Sequence, residues 1–310
     1  MRKPTVSIIM PCYNGADTVE RAIRGVINQT YRPIEFILVN DGSTDETNRV
    51  ITSLEEEISG AQIRFIYIQQ DNLGLGGAIN TGLKHVSGEY LAWIDADDEL
   101  LPRSVEIRVD FLEKNPYYGS VTSNGYEVED GNWDVPLRRV TEQIERNSQE
   151  DQFVYHLKAL SVFCCGCHLV RTEVFRQANG GMDIYPSRYG QNWQMLLPVY
   201  YASKHAFIDE PLYKYRVNAS NTMTSECDQM TLAQLYERRQ EYKKIISHTL
   251  RKIPGMKKRE FVRYILIFSK HIYEINLDSA IERRAPVDIF RWKVMVKLSI
   301  LLENVGLPGA

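Results

Sequence analysis

Tyr90-Leu91-Ala92-Trp93-Ile94-Asp95-Ala96-Asp97-Asp98 carries an apolar run straight into a cluster of carboxylates. A run of this length bounded by polar residues reads as a buried strand, with the acidic cluster on the turn that follows it. Upstream the pattern repeats. Val6-Ser7-Ile8-Ile9-Met10 is a β-rich run halted at Pro11, and Ile34 to Val39 is another, ending at Asn40-Asp41-Gly42. Phe65 to Ile68 is a third. Between them lie helical patterns: Val19, Ala22, Ile23, Val26 and Ile27 share one helix face, with Asp17 and Glu20 at capping-box spacing. Ser43 and Glu46 repeat that spacing and predict a helix to about Ile58. A glycine-rich loop over Asn72 to Gly77, a helix over Ala78 to Val86 stopped by Gly88, and a helix from Pro102 to Asn115 complete this stretch.

Alternating strands and helices with short links predict a mostly parallel sheet covered on both faces. In such sheets ligands sit at the carboxyl ends of the strands. Three of the four strands end in polar clusters, Tyr13-Asn14, Asp41 and Asp95/Asp97/Asp98. After Ser120 the pattern loosens into strands over Gly125 to Val140 and Val162 to Val170, then helices over Arg171 to Gln177 and Gln191 to Ser203. From Thr231 helices dominate, broken at Pro254-Gly255 and near Pro286.

A chain of 310 residues, 44% hydrophobic and 25% charged, is long enough for a large core and too ordinary for a disordered or fibrous class. Its net charge of -3 argues against gripping nucleic acid along its length. No run reaches the roughly 18 apolar residues of a membrane span, and Val6 to Met10 is too short for a signal-peptide core. A cytoplasmic protein is expected. Charge is uneven: Arg251 to Ile300 carries +7, leaving -10 for the remainder. Five cysteines with no secretion signal read as reduced thiols. Cys164, Cys167 and the adjacent His168 have no second ligand pair for a zinc site, so buried thiols are expected there.

Carboxylates on a turn past a buried strand are hard ligands suited to Mg²⁺ or Mn²⁺, which complete their shells from water and phosphate. Asp41 offers acceptors for a base N–H and Tyr13 a ring face; Asp41 also fits an Asx-turn. Gly74, Gly76 and Gly77 match neither the P-loop nor the dinucleotide pattern. A nucleotidyltransferase would need a basic glycine-rich loop after the first strand, where Pro11-Cys12-Tyr13-Asn14 stands.

Those motifs, with Val39-Asn40-Asp41-Gly42-Ser43-Thr44-Asp45, Asn72-Leu73-Gly74, and Ala78-Ile79-Asn80-Thr81-Gly82, resemble family 2 glycosyltransferases of the GT-A fold in order and spacing. The resemblance runs from Val6 to about Thr224, and Ile208 to Arg216 matches the segment that closes the family's catalytic domain. It implies a nucleotide-sugar-binding half over 1–116, an acceptor-binding half over 117–225 and a helical, basic appendage over 226–310. It also implies an inverting transferase using a UDP-sugar with Mn²⁺ or Mg²⁺. Pro11, Tyr13, Asn14, Asp41, Asn72, Gly76, Asp95 and Ala96 would then bind the nucleotide, with Asp97 and Asp98 on the metal.

Two positions depart from the family. Ile79 stands where an arginine is usual, and Gln191-Asn192 replaces the Glu-Asp pair that supplies the general base. An amide cannot take a proton from the acceptor. Asp183, in Gly181-Met182-Asp183, is the first substitute, and Gln191, Asn192 and Trp193 are expected to bind sugar, Trp193 as a stacking platform. The stretch Asn179 to Pro198 is similar to a bacterial subgroup building O-antigen or capsule repeat units. That implies a lipid-linked hexosamine acceptor and a basic tail on the inner membrane face. A sugar-nucleotide binder without turnover is the alternative.

Overall fold

The computed structural model describes residues 2–217 and 230–305, and the chain divides into two compact units, Met1–Asn218 and Ala219–Ala310. Cys227 and the boundary expected at 225/226 lie outside the described residues.

The first unit is built on one mixed sheet. Its strands are β1 (Val6–Cys12), β2 (Ile34–Asp41), β3 (Arg64–Gln70), β4 (Tyr90–Trp93), β5 (Glu99–Leu100), β6 (Tyr118–Glu129), β7 (Arg138–Arg139), β8 (His168–Arg171) and β9 (Lys204–Val217). They lie in the order β3-β2-β1-β4-β8-β6-β9-β5, with β7 on β6. β1 pairs in parallel with both β2 and β4, and β2 with β3. The expected parallel arrangement therefore holds for the first four strands. Beyond β4 the sheet turns antiparallel through β8, and only β6 and β9 run parallel there. Every residue of β1 and β2 is buried, as continuous apolar strands covered on both faces should be.

The helices are α1 (Val19–Ile27), α2 (Thr47–Ser53), α3 (Glu55–Gly60), α4 (Gly74–Leu83), α5 (Ser104–Lys114), α6 (Ile144–Asn147), α7 (Phe153–Leu157), α8 (Thr172–Ala178) and α9 (Gln191–Ala202). α1 buries the predicted face, but the Asp17 cap does not form; Thr18 is the capping residue and makes no side-chain cap bond. The single helix predicted from Ser43 is two, α2 and α3, meeting at Leu54. Ser43 is diverted to accept from the Asn14 N–H, and Asp45 receives the Thr47 and Ala16 N–H groups. α4 starts within the predicted glycine loop, because its glycines serve packing. A Cβ on Gly76 would lie 2.8 Å from Ser187 backbone atoms, and one on Gly77 would meet Leu73 Cβ at 2.5 Å.

In the second unit, α10 (Leu232–Lys252), α11 (Lys258–Glu282) and α12 (Pro286–Val305) follow one another. Thr231 and Gln234 form a reciprocal capping box at the start of α10. Trp292 of α12 is buried against Tyr236 of α10 and stacks on Tyr273 of α11. Among the described residues no helix is long and apolar enough to cross a membrane.

Candidate active site

β1 is flanked by β2 on one side and β4 on the other, the point where strand order reverses. Ligands of open α/β sheets bind outside the carboxyl ends of the strands at such a point. The three polar clusters predicted from sequence all end these strands.

Pro11 is buried in β1, and Tyr13 beyond it is 53% exposed. Asn14, in the left-handed region at φ 50°, accepts from the Thr44 N–H at 2.8 Å while its own N–H donates to Ser43. The ends of β1 and β2 are thereby laced together. Asp41 is buried, and its Oδ1 accepts from Gln70 Nε2 at 2.6 Å and from the Leu73 N–H at 2.9 Å. Asn72 accepts from the Gly74 N–H and turns the chain into α4. Gly76 lets the 185–187 backbone seat on that helix, its N–H donating to the Ser187 carbonyl.

The acidic turn separates its carboxylates by environment. Asp98 is fully buried; Tyr213 Oη donates to its Oδ2 at 2.5 Å, and the Arg216 N–H donates to Oδ1 at 2.7 Å. Burial, with Asp97 and Asp95 nearby, holds its carboxyl well above the usual range. Asp98, expected beside Asp97 on a metal, thus anchors β9 with both oxygens. Gly166 makes this possible, since a Cβ there would strike the Tyr213 ring. Arg108, wholly buried, fixes that glycine's turn by donating to the Gly166 and His168 carbonyls. Ala96 packs against the core at its margin.

Asp95, Asp98 and Cys165 place ligand-type atoms within 4.8 Å of one another. Burial, then the Asp97 charge, pushes Asp95 up to about 6. Burial also drives the Cys165 thiol well up, so it remains a protonated, soft group unsuited to Mg²⁺ or Mn²⁺. Asp97 keeps 41% of its side chain exposed. Burial raises its carboxyl and Arg216, 3.8 Å away, opposes the rise. The donor set fits a hard divalent cation that takes one or two carboxylates and fills its remaining positions with phosphate and water.

Two cations flank Asp97 that sequence reasoning left without a role. Arg216 grips Asp130 through Nε at 2.6 Å as well as pairing with Asp97. Arg21 donates to the Asp97 carbonyl and stacks 3.5 Å above the Trp133 ring. The Tyr215-Arg216 pair at the end of the matched segment was the available signal for one; nothing in sequence joins Arg21 to Trp133.

The acceptor-side residues are differently placed. Trp193 is buried with its indole N–H on the His156 carbonyl, which corrects the expectation of a stacking platform. Gln191 is buried and donates to the Ser187 carbonyl. Asn192 accepts from Trp93 Nε1 at 3.2 Å and donates from Nδ2 to the Phe163 carbonyl at 2.6 Å, a pair of bonds that an ionised carboxylate cannot make. Asp183 is exposed on the segment leading to Ile184, whose N–H and carbonyl both bond Asn80 of α4. His168 is a core residue with Nδ1 on Thr122 and a buried Nε2 lacking a protein partner. Cys165 and Cys167 are buried free thiols, as expected, whereas the free thiol Cys164 is only partly buried.

The acidic turn thus stands at the switch point of the parallel part of the sheet, where open α/β folds hold their ligands. Residues 7–178 match the family described as Glycosyl transferase family 2, and the chain belongs to that family. An uncharacterized glycosyltransferase of Rickettsia prowazekii is 30% identical over 250 residues, 81% of this chain and 73% of its own length. Glycosyltransferase GlyA of Streptococcus pneumoniae is 30% identical over 223 residues, 68% of this chain but 30% of that protein. Among solved structures, S. aureus TarS in complex with UDP-GlcNAc superposes with a TM-score of 0.67 at 15% identity, covering 91% of this chain and 76% of TarS. A Pyrobaculum calidifontis mannosyltransferase in complex with GDP-Man and Mn²⁺ gives 0.58 at 16%, covering 97% and 86%. The fold is GT-A, and the protein is a glycosyltransferase.

Proposed function

We propose that this enzyme moves a hexose, glucose or galactose first, from a UDP-sugar to a hexosamine on undecaprenyl diphosphate, with inversion, in the assembly of an O-antigen or capsule repeat unit. The observation carrying the donor assignment is the gathering of Tyr13, Asp41 and Asp95/Asp97 at the ends of three adjacent strands. Tyr13 offers a half-exposed ring to the uracil, and Asp41, held by Gln70 and Leu73, offers its carboxylate to the base. Asp95 receives the ribose, and Asp97 is the carboxylate open to Mn²⁺ or Mg²⁺. The bound ion would neutralise charge growing on the departing diphosphate. Arg216 and Arg21 lie beside Asp97 and add positive charge on the same side.

Inversion requires a base to take the acceptor hydroxyl's proton as that oxygen attacks the anomeric carbon. Asn192 cannot, so Asp183 takes the role: it is exposed on a segment that Asn80 and Gly76 hold against α4. The basic appendage supports a site of action on the anionic inner leaflet, where lipid-linked acceptors are presented. A second reading, a sugar-nucleotide binder without turnover, is favoured by one observation, the amide bonds that lock Asn192.

Purified protein offered each common UDP-sugar with Mn²⁺ and a synthetic lipid-diphosphate N-acetylhexosamine separates the readings. One donor should give product, UDP release and abolition by EDTA. Tight UDP-sugar binding with no product on any acceptor would favour the binder.

A further inference from the structure

We infer that α12 lies in the surface of an anionic bilayer with Val287, Phe290, Val294, Leu298 and Leu301 at the acyl boundary. This rests on the leaflet association proposed above and goes past it, from attraction by charge to insertion by a particular helix face. All five side chains are exposed, Val287 by 81% and Phe290 by 73%. At 100° per residue they fall within about 80° of arc on one side of the helix. The opposite side is already used: Trp292 is buried against Tyr236 and Tyr273, and Ser299 is buried with its hydroxyl on the Val296 carbonyl. The stripe is therefore additional to the surface that packs the unit.

Its margins are cationic. Arg291 borders one edge and Lys297 and Lys293 the other, all exposed, with Arg283 and Arg284 just before the helix. An apolar stripe bordered by Lys and Arg is the pattern of a helix lying in an interface, its cations reaching anionic headgroups. A second copy of the chain suits the face less well. Val287, Val294 and Leu301 would form one row of a helical seam, but the other row would pair Phe290 with Lys297, and a lysine in a seam costs stability. The cationic margins of two copies would also repel.

Flotation of the full chain with vesicles of phosphatidylcholine, alone or mixed with phosphatidylglycerol, tests this at low and high salt. The wild type should float with the mixed vesicles only. Phe290→Ser with Leu298→Ser should reduce that partition on the order of tenfold or more, since two exposed apolar side chains no longer leave water. Phe290→Trp should shift its emission to the blue on the mixed vesicles and not on phosphatidylcholine alone. Transfer to a water-soluble acceptor should be unchanged in both variants. Salt-sensitive flotation that the serine variant retains in full would overturn insertion while leaving the charge-based association standing. No flotation of the wild type would overturn both. A wild-type dimer by light scattering that the serine variant converts to monomer would make the stripe a subunit interface and overturn the lipid assignment.

Discussion

The carboxyl ends of β1, β2 and β4 and the first turn of α9 are both rich in polar side chains, yet they use them in opposite ways. At the strand ends Tyr13 and Asp97 remain accessible, and Asp41 is buried, accepting from Gln70 and the Leu73 N–H through Oδ1. In α9, Gln191, Asn192 and Trp193 have their polar atoms on the Ser187, Phe163 and His156 carbonyls. The α9 groups are spent as struts, whereas Tyr13 and Asp97 are left accessible at the strand ends. On the proposed function, donor chemistry falls to the strand-end residues, and the acceptor's proton goes to a residue other than Asn192.

The sharpest way to break that contrast is Asp97→Ala. Loss of the accessible carboxylate should lower Mn²⁺-dependent transfer by several kcal/mol of barrier, on the order of 10³-fold or more, and abolish metal-dependent strengthening of UDP binding. Asp183→Asn should cut kcat by about 10²-fold or more with UDP-sugar binding unchanged, as loss of a general base does. Unchanged turnover would remove Asp183 from the mechanism and leave the donor side standing. Asn192→Asp restores the acid usual in the family, yet should fail to raise activity. It sets a carboxylate against the Phe163 carbonyl, and thermal melts should show a loss of about 1–3 kcal/mol. A gain in rate would show that the strut reading is wrong.

The smallest effect concerns pH. Burial lowers His156 to about 4 and His205 to about 3, and puts His168 well below its ordinary 6.5. The unfolded chain binds these protons first, so their contribution to stability is full above about 6.5 and is lost as pH falls toward 4 and below. The raised carboxylates of Asp95, Asp97 and Asp98 act in the opposite sense, so the histidines are isolated by comparing wild type with His205→Gln. The wild type should lose more Tm than the variant between neutral pH and pH 4.

Much of this was legible in the sequence, for a local reason. The face of α1, the runs of β1, β2 and β4, and the acidic turn are set by neighbours a few residues apart. Position past a strand end is what made Tyr13, Asp41 and Asp97 candidates for ligand contact. The remainder depends on partners distant along the chain. Asn80 bonds Ile184, Asp98 receives Tyr213, and Trp133 carries Arg21. Trp193 has the composition of a stacking platform and the burial of a core residue, and only packing distinguishes them. The glycines of α4 resembled a loop because a helix interior seldom tolerates glycine; a backbone approach from residue 187 overrides that preference.

That approach has a consequence for anyone recombining such enzymes. Gly76 carries the 187 backbone directly, Asn80 grips Ile184, and Gln194 exchanges two bonds with Tyr185. Residues 184–187 are thus seated on α4, although Ile184 follows Asn80 by 104 positions. A chimera that imports a new acceptor loop by cutting through this span would inherit a mismatched hinge. One that leaves 184–187 and Gly76 with the recipient, and exchanges the chain on either side, keeps this contact in register.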